Sequence, residues 1–96
     1  MNAEDEQRRG ARAQQVLGHE IYTEAYTALR ERLITMLEMA DISAEKRQRL
    51  NDLLVAQAQH RRYMEQIVVG GRMAAERVER DRTFAARVMD RVRAVA

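Results

Sequence analysis

The 96-residue sequence contains no cysteine, no proline and no tryptophan, and only one phenylalanine. The absence of cysteine excludes disulfides, thiolate nucleophiles and cysteine-based metal sites. The absence of proline removes the strongest helix breaker, and few β-branched or aromatic runs are present to build strands. No apolar run approaches the roughly 20 residues that a membrane-spanning helix needs. The first residues are polar and unlike a signal peptide, so we expect a cytoplasmic protein.

Ala, Arg, Glu, Leu and Met dominate the sequence, and all of them favour helices. Charged residues form 33% of the chain, but the net charge is only +2. The two signs are unevenly distributed: residues 19–42 hold five acids and two Arg, whereas residues 71–96 hold four acids and seven Arg. An acidic helix followed by basic ones favours complementary packing between helices or between copies, and a mild attraction of the C-terminal part for anions.

The stretch from Tyr22 to Ala40 carries apolar residues at alternating steps of four and three, which place them on one side of a helix. Asp41 to Ser43 is then a turn in which Ser43 caps the next helix. Such a short connection makes the two helices antiparallel. The sequence therefore predicts an all-α fold built on an antiparallel helical hairpin of residues 20–40 and 44–69.

The ends of this hairpin are predicted from glycines. Gly18 is expected to end a short N-terminal helix over residues 7–17, after a frayed stretch at residues 1–6. Gly70-Gly71 is expected to break the chain before a separate C-terminal helix, because two glycines cost about 2 kcal/mol inside a helix. We thus expect an N-terminal arm at 1–18, a hairpin at 19–70 that serves as the oligomerisation core, and a basic C-terminal helix at 71–96.

A chain of this size buries only about two thirds of its unfolded surface, so helical hairpins like this one often complete their core by associating. We therefore predict a homo-oligomer held by the hairpin's apolar stripes. The candidate interface residues are Tyr22, Tyr26, Leu29, Leu33, Met36, Leu50, Leu53, Met64 and Ile67. Gln57 and His60 interrupt the stripe of the second hairpin helix, and such polar residues usually fix register at a cost in stability.

No group of residues in the sequence has the spacing of a catalytic or metal site. His19 and His60 are the only histidines, and neither has a second histidine at a ligand offset. Glu76 and Glu79 lie among arginines, where solvated ion pairs are far more common than acid–base chemistry. We therefore expect no enzyme activity, no catalytic residue, no metal and no cofactor.

Arginine is 16 of the 17 basic residues, and its planar group can bind phosphates with two hydrogen bonds. A general coding bias explains most of this preference, because the arginines are spread along the whole chain. The candidate nucleic-acid contacts are Arg61, Arg62, Arg72, Arg77, Arg80, Arg87 and Arg91. Acids interleave with these residues, so an ordinary solvated helix face is the alternative, and any DNA binding would be weak and salt-sensitive.

Residues 9–13, 16–25 and 29–33 resemble a group of short helical proteins of tailed phages and prophages. Residues 63–74 fall where that group has a helix that ends in a glycine-containing break. The similarity covers roughly residues 9–78, with Glu20 where the group has proline and with a longer extension beyond Val78. The hairpin is also similar to the oligomerisation core of phage small terminase subunits, which assemble into rings and present the genome to the packaging motor.

This resemblance implies a non-enzymatic, small-terminase-like DNA-packaging component of the host cytoplasm or the virion. Its partners would be other copies of itself, DNA, and the large terminase or a portal or capsid protein, but not a membrane. Two alternatives stay open: a virion structural or scaffold adaptor bound to the portal or capsid, and a small DNA-binding regulator.

Overall fold

A computed structural model describes residues 1–95, and this part of the chain consists of three helices with no strand. They are α1 (Ala3–Gly18), α2 (Glu20–Leu37) and α3 (Ala44–Val95). The predicted all-α fold is confirmed. The molecule measures 82 × 24 × 16 Å, because the 52 residues of α3 form one rod about 78 Å long.

Helices α1 and α2 follow each other along α3, antiparallel to it. Glu6 of α1 pairs with Arg77, Tyr26 of α2 meets Gln57, and the carbonyl of Leu37 accepts a hydrogen bond from Arg47. Residue numbers therefore increase along α1 and α2 in the direction in which they decrease along α3. The predicted hairpin is present, with its first helix ending at Leu37 rather than residue 40.

Side-chain caps explain where two of the helices begin. The Oδ1 atom of Asn2 accepts a hydrogen bond from the Asp5 amide at 2.8 Å, and Ser43 Oγ accepts one from the Lys46 amide at 3.1 Å. Each cap satisfies an amide that has no partner in the first helical turn. The predicted cap at Ser43 is confirmed. The predicted fraying of residues 1–6 is wrong, since the Asn2 cap starts α1 at Ala3.

A single extended residue, His19, separates α1 from α2. The first helix ends at Gly18 as predicted, but no glycine of the chain has a positive φ, so the stop is not a left-handed glycine. The His19 backbone has φ −72° and ψ 130°, and its Nδ1 accepts a hydrogen bond from the Ile21 amide at 3.2 Å. His19 is therefore the cap of α2 and the joint between the two helices.

The predicted break at Gly70-Gly71, with a separate C-terminal helix after it, is wrong because α3 is helical through both glycines. Gly71 lies where α1 crosses α3, directly against Gly10. A Cβ atom on Gly71 would lie 2.7 Å from the Cα of Gly10 and 3.1 Å from the carbonyl oxygen of Glu6. Close packing of two helix backbones offsets the intrinsic cost of glycine in a helix. Helix propensity depends on the residue type alone, so it does not predict this contact.

The buried apolar residues form a thin line between α3 on one side and α1 and α2 on the other, rather than a rounded core. Among the described residues, the buried hydrophobic ones are Ala13, Leu33, Leu50, Val68 and Ala74. Only Ala74 is completely covered. Any cross-section through the molecule contains at most two helices, so every helix keeps an outer face in water.

Candidate interaction surfaces

Most of the predicted interface residues lie between the arms of one chain. Leu33 and Leu50 are buried there, while Tyr22, Tyr26, Met36, Met64 and Ile67 are half-buried. The hydroxyl of Tyr22 donates to the sulfur of Met64 at 3.7 Å, which ties the two arms together. These seven side chains form what we call the hairpin seam. Whether these residues also contact another copy stays a prediction. Any such contact would involve only the part of each side chain that is exposed in the single chain.

One polar layer crosses the middle of the hairpin seam. The Nε2 atom of Gln57 donates to the backbone carbonyl of Tyr26 at 2.9 Å, and the guanidinium of Arg61 lies 4.7 Å from the centre of the Tyr26 ring. The Oε1 atom of Gln57 is buried without a hydrogen-bond partner. Gln57 is therefore a polar interruption of the seam, and its unpartnered oxygen costs stability. Its predicted role in fixing register stays a prediction. His60 is exposed.

Leu29 and Leu53 are the two predicted interface residues that remain half exposed, at 50% and 53%. Leu29 follows Tyr26 by three residues and Leu53 precedes Gln57 by four. Because Tyr26 and Gln57 are in contact, the two leucines lie within about one turn of each other along the hairpin. Together they form an apolar surface on the side of the hairpin that a second copy could cover.

The last 17 described residues of α3 extend beyond both other helices, and we call residues 79–95 the overhang. Every residue in the overhang is exposed. The N-terminal residues Asn2, Ala3 and Glu4 lie beside Val78 and Asp81, which marks where α1 stops covering α3. The overhang projects about 25 Å into solvent as a lone helix. Its exposed large apolar side chains are Phe84, Val88, Met89, Val92 and Val95.

The candidate nucleic-acid contacts divide into two groups. Arg61 stacks on Tyr26 and pairs with Glu65 at 3.2 Å, and Arg77 pairs with Glu6 of α1 at 2.8 Å. These two arginines therefore hold helices of the same chain together. The other five are exposed and take part in none of the ion pairs found over residues 1–95: Arg62, Arg72, Arg80, Arg87 and Arg91.

Three of these exposed arginines share one face of the overhang. Arg80, Arg87 and Arg91 are separated by seven and four residues, which returns each to nearly the same side of a helix. They span about 16 Å along the helix axis. Phe84 lies in the same surface region, beside Arg80 and Arg87, and so do Glu76 and Glu79. The overhang thus presents a row of unpaired guanidinium groups that can bind phosphates or carboxylates.

The α1–α3 contact was missed in the sequence, although a signal for it exists. The buried and half-buried residues of α1 are Ala3, Glu6, Gly10, Ala13 and Leu17, at steps of three and four. This is the spacing of a helical seam, but its members are mostly small or polar and give little hydrophobic contrast. Arg9 also donates to the hydroxyl of Tyr63 at 3.1 Å, and this contact strengthens the attachment of α1.

No group of three or more His, Asp or Glu side chains within residues 1–95 is placed to hold a metal ion. None of the helices in that range combines the length and the apolar character that crossing a lipid bilayer requires. Comparison of the chain with protein-family models, with curated proteins and with solved structures gives no match. The surfaces described above are therefore the features of the molecule that indicate a function.

Proposed function

We propose that this chain is a non-enzymatic assembly protein that works as a homo-oligomer, and that it recruits DNA in the manner of a phage small terminase subunit. One observation carries the proposal. Among residues 1–95, sixteen large hydrophobic side chains are exposed, whereas only five hydrophobic residues are buried. Exposed apolar surface on this scale favours association with other protein surfaces.

The exposed apolar residues are spread over the whole length of the molecule, which favours copies packed side by side. Ile21 and Leu29 lie on α2, Leu53 and Val69 on the hairpin part of α3, and Val92 on the overhang. A single chain of this shape cannot cover them, because it is only two helices thick. Lateral packing of rods also fits the charge distribution, since residues 19–42 of one copy, with five acids and two Arg, can face the arginine-rich residues 71–95 of α3 in the next.

The DNA-binding part of the proposal depends on Arg80, Arg87 and Arg91. Each is exposed, and the row they form would follow successive phosphates of a nucleic-acid backbone. An oligomer multiplies this row by the number of copies, so weak contacts add up to a useful affinity. A recruiter of this kind needs no chemistry of its own and would deliver the genome to a separate packaging motor.

A virion structural or scaffold adaptor is the second candidate, and the apolar side of the overhang favours it. Phe84, Val88 and Val92 are 69%, 41% and 57% exposed, and such side chains fit a protein groove rather than a phosphate. In this role the overhang would bind a portal or capsid protein, and the arginines would only flank that contact.

Two measurements test the first proposal. Light scattering after gel filtration should give a defined multimer at micromolar concentrations, and a monomer at all accessible concentrations would overturn the proposal. Titration of double-stranded DNA at 50 mM and 200 mM salt should then show binding that weakens steeply as salt rises.

A pair of charge-matched triple variants localises the DNA contact. The change of Arg80, Arg87 and Arg91 to Gln should weaken binding at least tenfold and lower the slope of log K against log[salt] by about 0.9 per lost phosphate contact. The control changes three exposed arginines elsewhere, Arg12, Arg30 and Arg32, to Gln, so the net charge is the same. Equal losses would mean that binding is not located on the overhang, and no binding at low salt would favour the adaptor.

A further inference from the structure

We propose that the overhang binds unpaired nucleotides, with Phe84 stacking on a base while Arg80 and Arg87 hold phosphates on either side of it. The inference rests on the proposed DNA-binding role of the overhang and specifies the class of nucleic acid. That class is a single strand, or the unpaired end of a duplex, in which the face of a base is free to meet an aromatic ring.

Phe84 is the aromatic residue that contributes least to the fold. Each of the three tyrosines contacts a side chain of another helix through its ring or its hydroxyl. Phe84 is 69% exposed and lies beyond residues 78–82, where the first turn of α1 meets α3. Because its ring is largely in water, it adds little to the stability of the single chain and is free to contact a ligand.

Phe84 lies within the row of arginines rather than apart from it. Arg80, Phe84, Arg87 and Arg91 follow one another at steps of four, three and four residues, which keeps them on one face of a helix. Along the helix axis, Arg80 is about 6 Å from Phe84 on one side and Arg87 is about 4.5 Å from it on the other. All three line the same surface depression. Proteins that bind single strands combine such cationic groups, which follow the backbone, with aromatic rings on which bases stack.

The direction in which Phe84 points favours a nucleotide over a protein groove. With about 100° of rotation per residue, Phe84 is turned about 20° from Arg91 but about 80° from Val92, which lies in the apolar stripe of the overhang. A protein groove that covers this stripe would hold Phe84 at its edge, next to the arginines. A strand laid along the arginine row would instead meet the ring directly.

Paired bases cannot reach the ring of Phe84 in the same way. In a duplex each base is covered by its neighbours in the stack, so a helix lying along the backbone contacts phosphates alone. In a single strand the bases can turn outward and stack on an aromatic side chain. Every residue from 79 to 95 is exposed, so no other part of the described chain obstructs a strand on this face.

Two acidic side chains set the direction in which the strand extends. Glu76 and Glu79 line the same depression as Phe84, toward the hairpin end of the row. Glu79 lies 3.8 Å from Arg82, so part of its charge is balanced within the helix. Arg91 follows Phe84 by seven residues in the direction away from both acids. Phosphates are therefore favoured from Phe84 toward Arg91 and disfavoured toward Glu76.

The first experiment detects stacking directly, and it is simple because the chain has no tryptophan of its own. Phe84→Trp introduces a single indole, which is titrated at 50 mM salt with a 12-nucleotide oligothymidylate and with an abasic strand of the same length. We expect the bases to quench its fluorescence strongly and the abasic strand, which carries only phosphates, to leave it nearly unchanged. Met89→Trp is the control, since position 89 is also exposed but is turned about 140° away from Phe84. Equal quenching of the two variants would overturn the stacking role.

The second experiment separates the aromatic ring from its apolar character. Binding of a labelled 12-nucleotide single strand and of its duplex is measured by fluorescence anisotropy for Phe84→Leu and Phe84→Tyr. We expect Phe84→Leu to weaken single-strand binding about tenfold and to leave duplex binding within about twofold, whereas Phe84→Tyr keeps both. The salt dependence should be the same in all variants, because no charge is removed. Position 84 is exposed, so circular dichroism should show unchanged helix content.

The outcomes separate this inference from the proposed function. If Phe84→Leu leaves single-strand binding unchanged, or weakens binding of both nucleic acids equally, the stacking role is overturned and recruitment of DNA through phosphates stays intact. If the wild-type chain binds neither nucleic acid at 50 mM salt, both proposals are overturned. A loss confined to the single strand would support both.

Discussion

Residues 44–78 and the overhang belong to the same helix and repeat the same spacing of three and four residues, but they differ in what covers them. The first part is packed under α2 and α1, whereas the second has no neighbour within the single chain beyond Asp81 and Arg82, which lie beside the start of α1. Ala, Val and Arg are common on both sides of the junction, but of the two segments only residues 44–78 contain Leu, Ile, Gln and Gly. Periodicity thus identifies the face that must be covered, but it does not say which helix covers it or from which copy that helix comes.

The largest expected effect on the free energy of unfolding comes from comparing a residue of the covered segment 44–78 with a residue of the overhang. Leu50→Ala should lower the free energy of unfolding by about 2–3 kcal/mol, because Leu50 is only 4% exposed and its loss leaves a cavity in the hairpin seam. Val88→Ala on the overhang should change it by less than about 0.5 kcal/mol under conditions where the chain is monomeric. Urea unfolding at low micromolar concentration measures both. Equal losses would mean that the overhang is covered within one copy.

The two adjacent glycines of α3 should respond to alanine with opposite signs. Gly71→Ala forces a Cβ into the backbone of α1 at 2.7 Å and should destabilise the chain by roughly 1–3 kcal/mol as α1 shifts. At Gly70 a Cβ would meet nothing within 4 Å, so Gly70→Ala should stabilise by about 0.5–1 kcal/mol through helix propensity. Thermal melting compares the two. Stabilisation by both variants would show that α1 does not pack on α3 at this point.

Removal of the Gln57 amide from the hairpin seam should raise the free energy of unfolding of the covered segment. Gln57→Leu eliminates the unpartnered Oε1 and should stabilise the chain by roughly 1 kcal/mol, since the Tyr26 carbonyl it leaves can keep its bond within the helix. Urea unfolding measures the gain. Gln59→Leu, two residues away and exposed, serves as the control and should have no comparable effect. A loss of stability in Gln57→Leu would mean that the amide contributes more than its orphaned oxygen costs.

The smallest effect is expected at the end of the covered part, where Glu6 pairs with Arg77. The two side chains are 35% and 51% exposed, so solvent screens their attraction. A double-mutant cycle with Glu6→Gln and Arg77→Gln should give a coupling of about 0.2–1 kcal/mol that shrinks in 0.5 M salt. Coupling that persists in high salt would indicate a more desolvated contact between α1 and α3.

Much of the helical architecture could be predicted from particular residues. The stripe from Tyr22 to Ala40 predicted α2 and most of its packed face, although α2 ends at Leu37 and Leu29 is 50% exposed. Ser43 predicted the start of α3. These predictions succeeded because an amphipathic helix and its cap depend on residues close together in sequence. The interface residues were less accessible to prediction, because a stripe has the same pattern whether its partner lies in the same chain or in another.

The contact between α1 and α3 could not be predicted in the same way. Gly10 and Gly71 are 61 positions apart, and each by itself looks like a point of weakness in a helix. Their meaning depends on the crossing, where the absence of two side chains lets two backbones touch. Similarly, Arg61 and Arg77 resemble the other arginines in the sequence, and only their neighbours Tyr26 and Glu6 distinguish them.

By itself, the sequence determined that this protein is helical, that connections lie next to Gly18 and before Ala44, and which faces of its helices are apolar, because these properties arise from local propensity and spacing. Only the tertiary structure decided that Gly70 and Gly71 lie inside one long helix, that α1 joins the hairpin, and that the last 17 described residues extend beyond it. The physical reason is that a helix can continue through glycine when another backbone packs against it. At Gly71 that backbone is the one of α1 at Gly10, which is distant in sequence.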